Sequence, residues 1–275
     1  MKLSLSTGTL YIYPLQTVFR WAQEAGFDGV ELVINPEAIL RGGQTIRHLA
    51  KAQGVEIFSV HPSVIPLPGW RERRDGPAST IRLALDAGAG LVILHTPRSE
   101  SLDEGEGLTF RQQIEAWQGP LAGTGLRLAV ENKAVRAPAD TRYVLSPLDR
   151  LRDFADRYNL GLVLDTTHAA TAGEDLLRAR QVFNSRLVNV HLSDTGGSIP
   201  LSAFSPARIL FGQHRFPATG DLALPALLAD LHNNGYTGPI TLEVNPWAAH
   251  GWWPPAARRR LGQAVDWIKR HGVTR

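Results

Sequence analysis

The stretch "DAGAGLVIL", Asp86 to Leu94, reads as the end of a helix, a glycine stop and a buried strand. Its helical part begins upstream in "TIRLALDAG", where apolar residues recur at helical spacing up to Gly88, a residue suited to a left-handed C-cap. Its strand part, "LVIL" (Leu91–Leu94), is a continuous Val, Ile and Leu run without polar alternation, the pattern of a strand covered on both faces. The same grammar returns in "EAGFDGVEL" and "NNGYTGPITLE". Three more helical stretches stop on glycine: "LQTVFRWAQEAG" at Gly26, "TIRHLAKAQG" at Gly54 and "LPALLADLHNNG" at Gly235.

Working outward, further apolar runs stand at Leu3–Thr7, Gly29–Ile34, Val55–Val60, Leu126–Val130, Leu160–Leu164, Leu187–Val190 and Ile240–Leu242. Eight strands alternating with helices over 275 residues match a (β/α)8 TIM barrel, an α/β fold, in count and length. A doubly wound open sheet is the alternative, but "STGTLYIYP" after the first strand lacks the Gly-rich phosphate fingerprint of that class. No linker or low-complexity segment interrupts the chain, so residues 1–275 are expected to form one domain. The longest irregular stretches, Pro62–Pro77 and Ser193–Thr219, would be loops on the catalytic face of such a barrel.

Composition narrows the chemistry. The chain is 43% hydrophobic and 20% charged, with a formal net charge of +3, as in an ordinary globular protein. So small a basic excess permits a polyanionic partner without arguing for one. With no cysteine, disulfides and thiolate chemistry are excluded, and any metal must sit on His, Asp and Glu. Neither a signal peptide nor a membrane span is expected from the apolar runs, which makes a cytoplasmic location the default expectation.

The strand ends carry the functional signal. The third strand stops at His61, the fourth at His95, the fifth at Glu131, the sixth at Asp165, the seventh at His191 and the eighth at Glu243. Acidic residues number 26 and histidines 9 in the whole chain, so an unbroken series of such ends is not what chance supplies. In a barrel these ends converge on one mouth, where active sites lie. Glu131, Asp165 and Glu243 would repel one another there and rise in pKa unless a cation compensates. A divalent ion such as Mn, Zn, Co, Fe or Mg suits these oxygen and nitrogen donors. His168, three residues after Asp165, reaches the same mouth from the following turn. Taken singly, each of these residues has a plainer explanation, as a helix N-cap or a solvated loop residue. His48, His232 and His271 lie on helical stretches and are expected at the surface; His250, in an aromatic loop, is undecided.

"LVLDTTHAATAGEDL", "AVENK", "VNVHLSD" and "GPITLEVNP" resemble the xylose-isomerase-like TIM barrels, a superfamily of sugar isomerases and epimerases, inosose-processing enzymes and endonuclease IV-like abasic-site nucleases (AP endonuclease family 2). In the isomerase and epimerase branch the resemblance implies one metal held by Glu131, Asp165, His191 and Glu243. It also implies proton transfer α to a carbonyl by Glu131 and Glu243, with His168 on a substrate oxygen. In the nuclease branch it implies three zinc ions, drawing in His61, His95, His168 and His214. There "FGQH" places Gly212 where that branch carries an aspartate, and "HPSVIPLPGW" shows no DNA wedge.

The leading expectation is therefore a divalent-metal-dependent isomerase or epimerase of a sugar, polyol or sugar phosphate, using Mn or Zn, one ion per chain and at most two or three. An endonuclease IV-like zinc phosphodiesterase acting on abasic DNA is the alternative. A barrel that binds metal or carbohydrate without turnover is a third reading. For substrate contacts the candidates are His61, His95, His168, Trp247 and Arg71. Arg71, Arg73 and Arg74 form a basic loop, read as an anion grip or a solvated cluster, while Trp247, Trp252 and Trp253 read as a sugar-stacking wall or an oligomer contact. "ARRRLG" (Ala257–Gly262) reads as a solvated helix face. A small-molecule partner, no membrane, and a monomer or small homo-oligomer complete the expectation.

Overall fold

The glycine stops are left-handed turns in the structure, a computed structural model that describes residues 1–63, 67, 78–196 and 213–272. Gly26, Gly54, Gly88 and Gly235 have φ of 91°, 70°, 73° and 69°, which a side chain would disfavour. At Gly26 the turn is closed by its own N–H, which donates to the carbonyls of Ala22 and Gln23. Each stop ends a helix and sends the chain into a buried strand.

The strands are β1 (Lys2–Ser6), β2 (Gly29–Val33), β3 (Glu56–His61), β4 (Leu91–His95), β5 (Arg127–Glu131), β6 (Gly161–Asp165), β7 (Leu187–Leu192) and β8 (Pro239–Leu242). All pair in parallel in chain order, and β1 pairs with β8, so the sheet closes. The described helices are α1 (Leu15–Ala25), α2 (Pro36–Ala52), α3 (Ala78–Ala87), α4 (Gly105–Leu121), α5 (Leu148–Arg157), α6 (Thr166–Thr171), α7 (Leu176–Phe183), α8 (Leu224–Asn233) and α9 (Pro254–Gly272). This is a single-domain (β/α)8 barrel, as the repeated grammar implied.

Several strands run one or two residues further than the apolar runs alone suggested. The polar residues at their ends belong to the ladder: His95 pairs with Glu131, and Asp165 with His191. The segment after Asp165, expected as a turn, is the short helix α6. Asp165 initiates it by accepting a hydrogen bond from the His168 N–H at 2.6 Å. Asn35 does the same for α2 by accepting from the Ala38 N–H, with Pro36 in the first helical position.

Tight packing fixes strand and helix spacing. A Cβ on Gly29 would lie 2.5 Å from the Glu56 carbonyl, so β2 and β3 approach as closely as they do only because residue 29 lacks a side chain. Gly43 likewise lets α2 meet the Leu83 carbonyl of α3, just after Gly42 (φ 72°, ψ 160°) kinks the helix. Between strands and helices runs one apolar layer that includes Leu5, Leu32, Ile46, Ile81, Val130, Leu164, Val190 and Leu242. Each fully buried Leu, Ile or Val there contributes about 1.5–3 kcal/mol relative to exposure. Among the described residues no helix is long and apolar enough to cross a membrane. His48 and His232 are exposed as expected, whereas His271 is half-buried against Trp267, with ring centroids 4.4 Å apart.

Candidate metal centre

Because the strands are parallel, their C-terminal residues share one end of the barrel. His61, His95, Glu131, Asp165 and His191 all arrive there on β3 to β7. Glu243 follows β8 directly, and its N–H extends the ladder by donating to the Leu192 carbonyl. His168 comes from α6. His214 comes from the loop before α8, where φ of 50° turns its backbone and its Nδ1 lies 3.2 Å from Ser193 Oγ.

The donor atoms fall into three overlapping groups. Glu131, Asp165, His191 and Glu243 form one; His61, His95 and Glu131 a second; Asp165, His168 and His214 a third. Within each group the ligand atoms lie within 4.8 Å of one another. All eight candidate ligands named from sequence are thus brought together. Arg71, Arg73, Arg74 and Gly212 lie outside the described residues. Trp247 lines a cavity of about 270 Å³ with Arg215, Phe216, His250 and Arg260. Its ring packs 4.7 Å from that of Trp252, and Trp247, Trp252 and Trp253 all remain more than half exposed. His250, undecided from sequence, stacks on Trp252 in this loop.

The centre of the first group is His191, fully buried. Its Nδ1 lies 3.0 Å from Glu131 Oε1 and 2.7 Å from Glu243 Oε2, and its Nε2 lies 3.0 Å from Glu31 Oε2. Burial pushes this imidazole down, but Glu31 and Glu243 outweigh it and hold its pKa well above the usual value. Burial pushes Glu131 up, but His168 and His191 hold it well below the carboxylate range. Glu243 is held down in the same way by His191 against its own burial. Asp165 goes the other way: desolvation raises it despite His168 and His214. His95, although 48% of its side chain is accessible, is pushed down to about 4 by desolvation and by His61.

Asp165 has two tasks. Oδ1 caps α6, and Oδ2 is buried without a hydrogen-bond partner among the described residues, 3.9 Å from His214 Nδ1. The N-cap explanation that sequence offered for Asp165 is therefore correct and covers only half of the side chain. A buried carboxylate oxygen left without a donor is costly, and a cation satisfies it. The three carboxylates and one imidazole of the first group, with no sulfur, are a donor set for a hard or borderline divalent ion. The residues present fit such an ion. His61 Nδ1 donates to the Pro62 carbonyl at 2.7 Å, which leaves its Nε2 as the lone-pair nitrogen, 3.1 Å from His95 Nε2.

Two asparagines and one glutamate escaped the sequence reading. Asn132 clamps the backbone of Asp165, with its Oδ1 accepting from the Asp165 N–H and its Nδ2 donating to the Asp165 carbonyl. Glu31 and Asn189 meet inside the barrel, where Asn189 Nδ2 donates to Glu31 Oε2 at 3.1 Å. Their signal was a polar residue inside an apolar strand, in "GVELVI" and "LVNV", rather than at its end.

Residues 19–273 match the family described as xylose isomerase-like TIM barrel, AP endonuclease 2. The chain belongs to that family. An uncharacterized protein of Mycobacterium tuberculosis is 27% identical over 266 residues, covering 89% of each chain. The 3-dehydroshikimate dehydratase of Pseudomonas aeruginosa is 28% identical over 227 residues, which span 80% of this chain and 34% of the dehydratase. Among solved structures, the apo form of the E. coli 3-keto-D-glucoside 4-epimerase YcjR superposes with a TM-score of 0.70 at 17% identity, covering 98% of this chain and 99% of the other. The IOLI protein with a bound zinc atom superposes with a TM-score of 0.70 at 14% identity, covering 98% and 96%. At these identities the structural likenesses establish the fold.

Proposed function

We propose that this chain is a divalent-metal-dependent isomerase or epimerase of a sugar, polyol or sugar phosphate. One observation carries the reading: Glu131 and Glu243 come from separate strands, and each lies within 3.0 Å of the same buried imidazole nitrogen. Glu131 and Glu243 are both held ionised by their histidine neighbours, so both can accept a proton. One takes a proton from the carbon α to a substrate carbonyl, and the other, once protonated from a substrate hydroxyl or water, returns a proton from its own side. Glu243, 18% accessible, is the more open of the two toward an entering substrate. His168 donates its Nδ1 proton to the Asn132 carbonyl at 3.0 Å, which leaves Nε2 for a substrate oxygen. His61 and His95 line the same mouth. A divalent ion held by Glu131, Asp165, His191 and Glu243 supplies Lewis-acid stabilisation of the charge that develops on substrate oxygens.

The test is hydrogen exchange. Ketoses and keto-polyols incubated with protein and manganese in D2O are expected to incorporate deuterium α to the carbonyl, followed by NMR, and chelation is expected to stop it. The dehydratase relative extends the same chemistry, since elimination of water next to a carbonyl also begins with removal of an α proton. A product with a new conjugated absorbance would identify that outcome. No exchange and no elimination across the panel would remove the proton-transfer reading.

A phosphodiesterase is the second reading, favoured by the presence of three donor groups that share Glu131 and Asp165. Gly212 and the small basic excess argue against it. Duplex DNA carrying an abasic site is expected to remain uncut with zinc or manganese at physiological salt, where backbone binding is weak without many cationic contacts. Robust metal-dependent incision by the unmodified chain, read on a denaturing gel, would reverse the order of the two readings.

A further inference from the structure

The barrel interior has a second layer directly beneath the donor ring, and its two halves differ in kind. Side chains two residues apart on a strand point the same way. Beneath His95, Glu131 and Asp165 therefore stand Ile93, Ala129 and Val163, which pack with Leu91 as a dry cluster. Beneath His61, His191 and Glu243 stand Ser59, Asn189 and Thr241, all fully buried. Glu31 enters this polar half from β2. Apolar residues fill such a layer readily, as the first half shows, so the polar half calls for a reason.

Its hydrogen bonds converge on one atom. Glu31 Oε2 accepts from Ser59 Oγ at 2.7 Å and from Asn189 Nδ2 at 3.1 Å, and it lies 3.0 Å from His191 Nε2. Thr241 Oγ1 in turn donates to Asn189 Oδ1 at 2.9 Å, which holds the amide with its NH2 toward Glu31. The network thus spans β2, β3, β7 and β8 and fixes a single carboxylate under a single imidazole. The other face of that imidazole, Nδ1, points at Glu131 and Glu243.

We propose that Glu31 is a positioning residue for the metal centre: it accepts the Nε2 proton of His191 and so fixes Nδ1 as the nitrogen that faces the ion. This rests on the metal-dependent reading above. A neutral imidazole has one N–H and one lone pair, and a fixed acceptor at Nε2 assigns the lone pair to Nδ1. A carboxylate in that place also makes the ligand nitrogen more basic and holds the ring plane still. Ser59 and Asn189, which hydrogen-bond Glu31 directly, keep it in place. Glu31 itself does not touch the ion.

The experiment measures manganese affinity of metal-free protein by calorimetry, together with the unfolding temperature of the metal-free forms. Glu31→Gln preserves shape and one acceptor oxygen but removes the charge. It is expected to bind manganese about 10–100-fold more weakly than the parent. Thr241→Val, which touches the same layer two bonds away, is the control and is expected to stay within about threefold of the parent. The contrast between the two variants separates positioning from general loosening of the layer, because both disturb the layer and only one removes the carboxylate charge that faces Nε2. Where Gln at position 31 leaves too little folded protein, Glu31→Asp asks the same question with the charge kept and the reach shortened by one methylene; it is expected to lose at least about fivefold in affinity. Parent-like affinity in the folded Glu31 variant, or equal losses in it and Thr241→Val, would overturn the role of Glu31. Failure of the parent itself to bind manganese would instead overturn the metal reading on which this inference rests.

Discussion

Glu131→Gln and Glu243→Gln are each expected to lower α-deuterium exchange by roughly 10²–10⁴-fold at saturating manganese, the range of general acid–base catalysis, with the barrel still folded. Gln occupies the same space as Glu and keeps an oxygen for the His191 contact, but its amide cannot take up a proton at the working pH. Each glutamate lies within 3.0 Å of His191 Nδ1, so each variant also disturbs the ion. Measuring exchange at saturating metal separates lost proton transfer from lost occupancy. Circular dichroism and thermal unfolding verify the fold. Exchange within tenfold of the parent in either variant would remove that glutamate from proton transfer.

The second large effect concerns His191. His191→Ala leaves Glu31, Glu131 and Glu243 facing one another across a buried space without their shared imidazole. Removing one partner from a buried charged network costs on the order of 3–5 kcal/mol, so this variant is expected to melt well below the parent. It is also expected to lose stoichiometric metal and all exchange. His61→Ala and His95→Ala should behave differently. His95 is pushed down to about 4, so at neutral pH it is uncharged and its loss strands no ion pair. Both variants are expected to keep one bound ion and measurable exchange, with weakened substrate binding. Complete and equal loss in all three variants would point to an obligatory multinuclear site and to hydrolytic chemistry.

The closed barrel was legible in the sequence because glycine stops and dry strands repeat, and because each is a local necessity: a left-handed residue after a helix, an apolar run between two covering layers. The donor ring was legible because parallel strands bring their C-terminal ends together, so His61, His95, Glu131, Asp165 and His191 could be grouped without knowing the register. Strands β3 to β6 end on His61, His95, Glu131 and Asp165 as read, β7 runs one residue past His191 to Leu192, and β8 stops at Leu242 just before Glu243, because a polar end residue breaks the apolar pattern without fixing where the ladder stops. Helix α6 was missed because its first hydrogen bond is accepted by the Asp165 side chain, in a stretch too short for periodicity to register. Glu31 and Asn189 were missed for a different reason. They sit mid-strand, where only closure of the sheet brings β2 beside β3 and β7 across the interior to share one carboxylate. Trp247 packs on Trp252 and lines a cavity with Arg215, Phe216, His250 and Arg260, a placement open to both the sugar-wall and the oligomer-contact readings.

Proton competition links the metal centre to pH. In metal-free protein the pKa of His191 is raised well above 6.5, so the stability gained from its imidazolium is fully present below that unfolded value. That stability is lost as pH rises through the elevated folded pKa. Metal binding must displace the proton on Nδ1, so affinity moves in the opposite direction and rises with pH. Calorimetric titration of chelator-treated protein with manganese at several pH values is the most direct test of the central claim that the barrel mouth is a divalent-metal site. The account requires one tight ion per chain, proton release on binding, affinity that increases with pH, and loss of that ion in His191→Ala. Absence of stoichiometric binding by the folded parent chain, or binding that persists unchanged in His191→Ala, would contradict it.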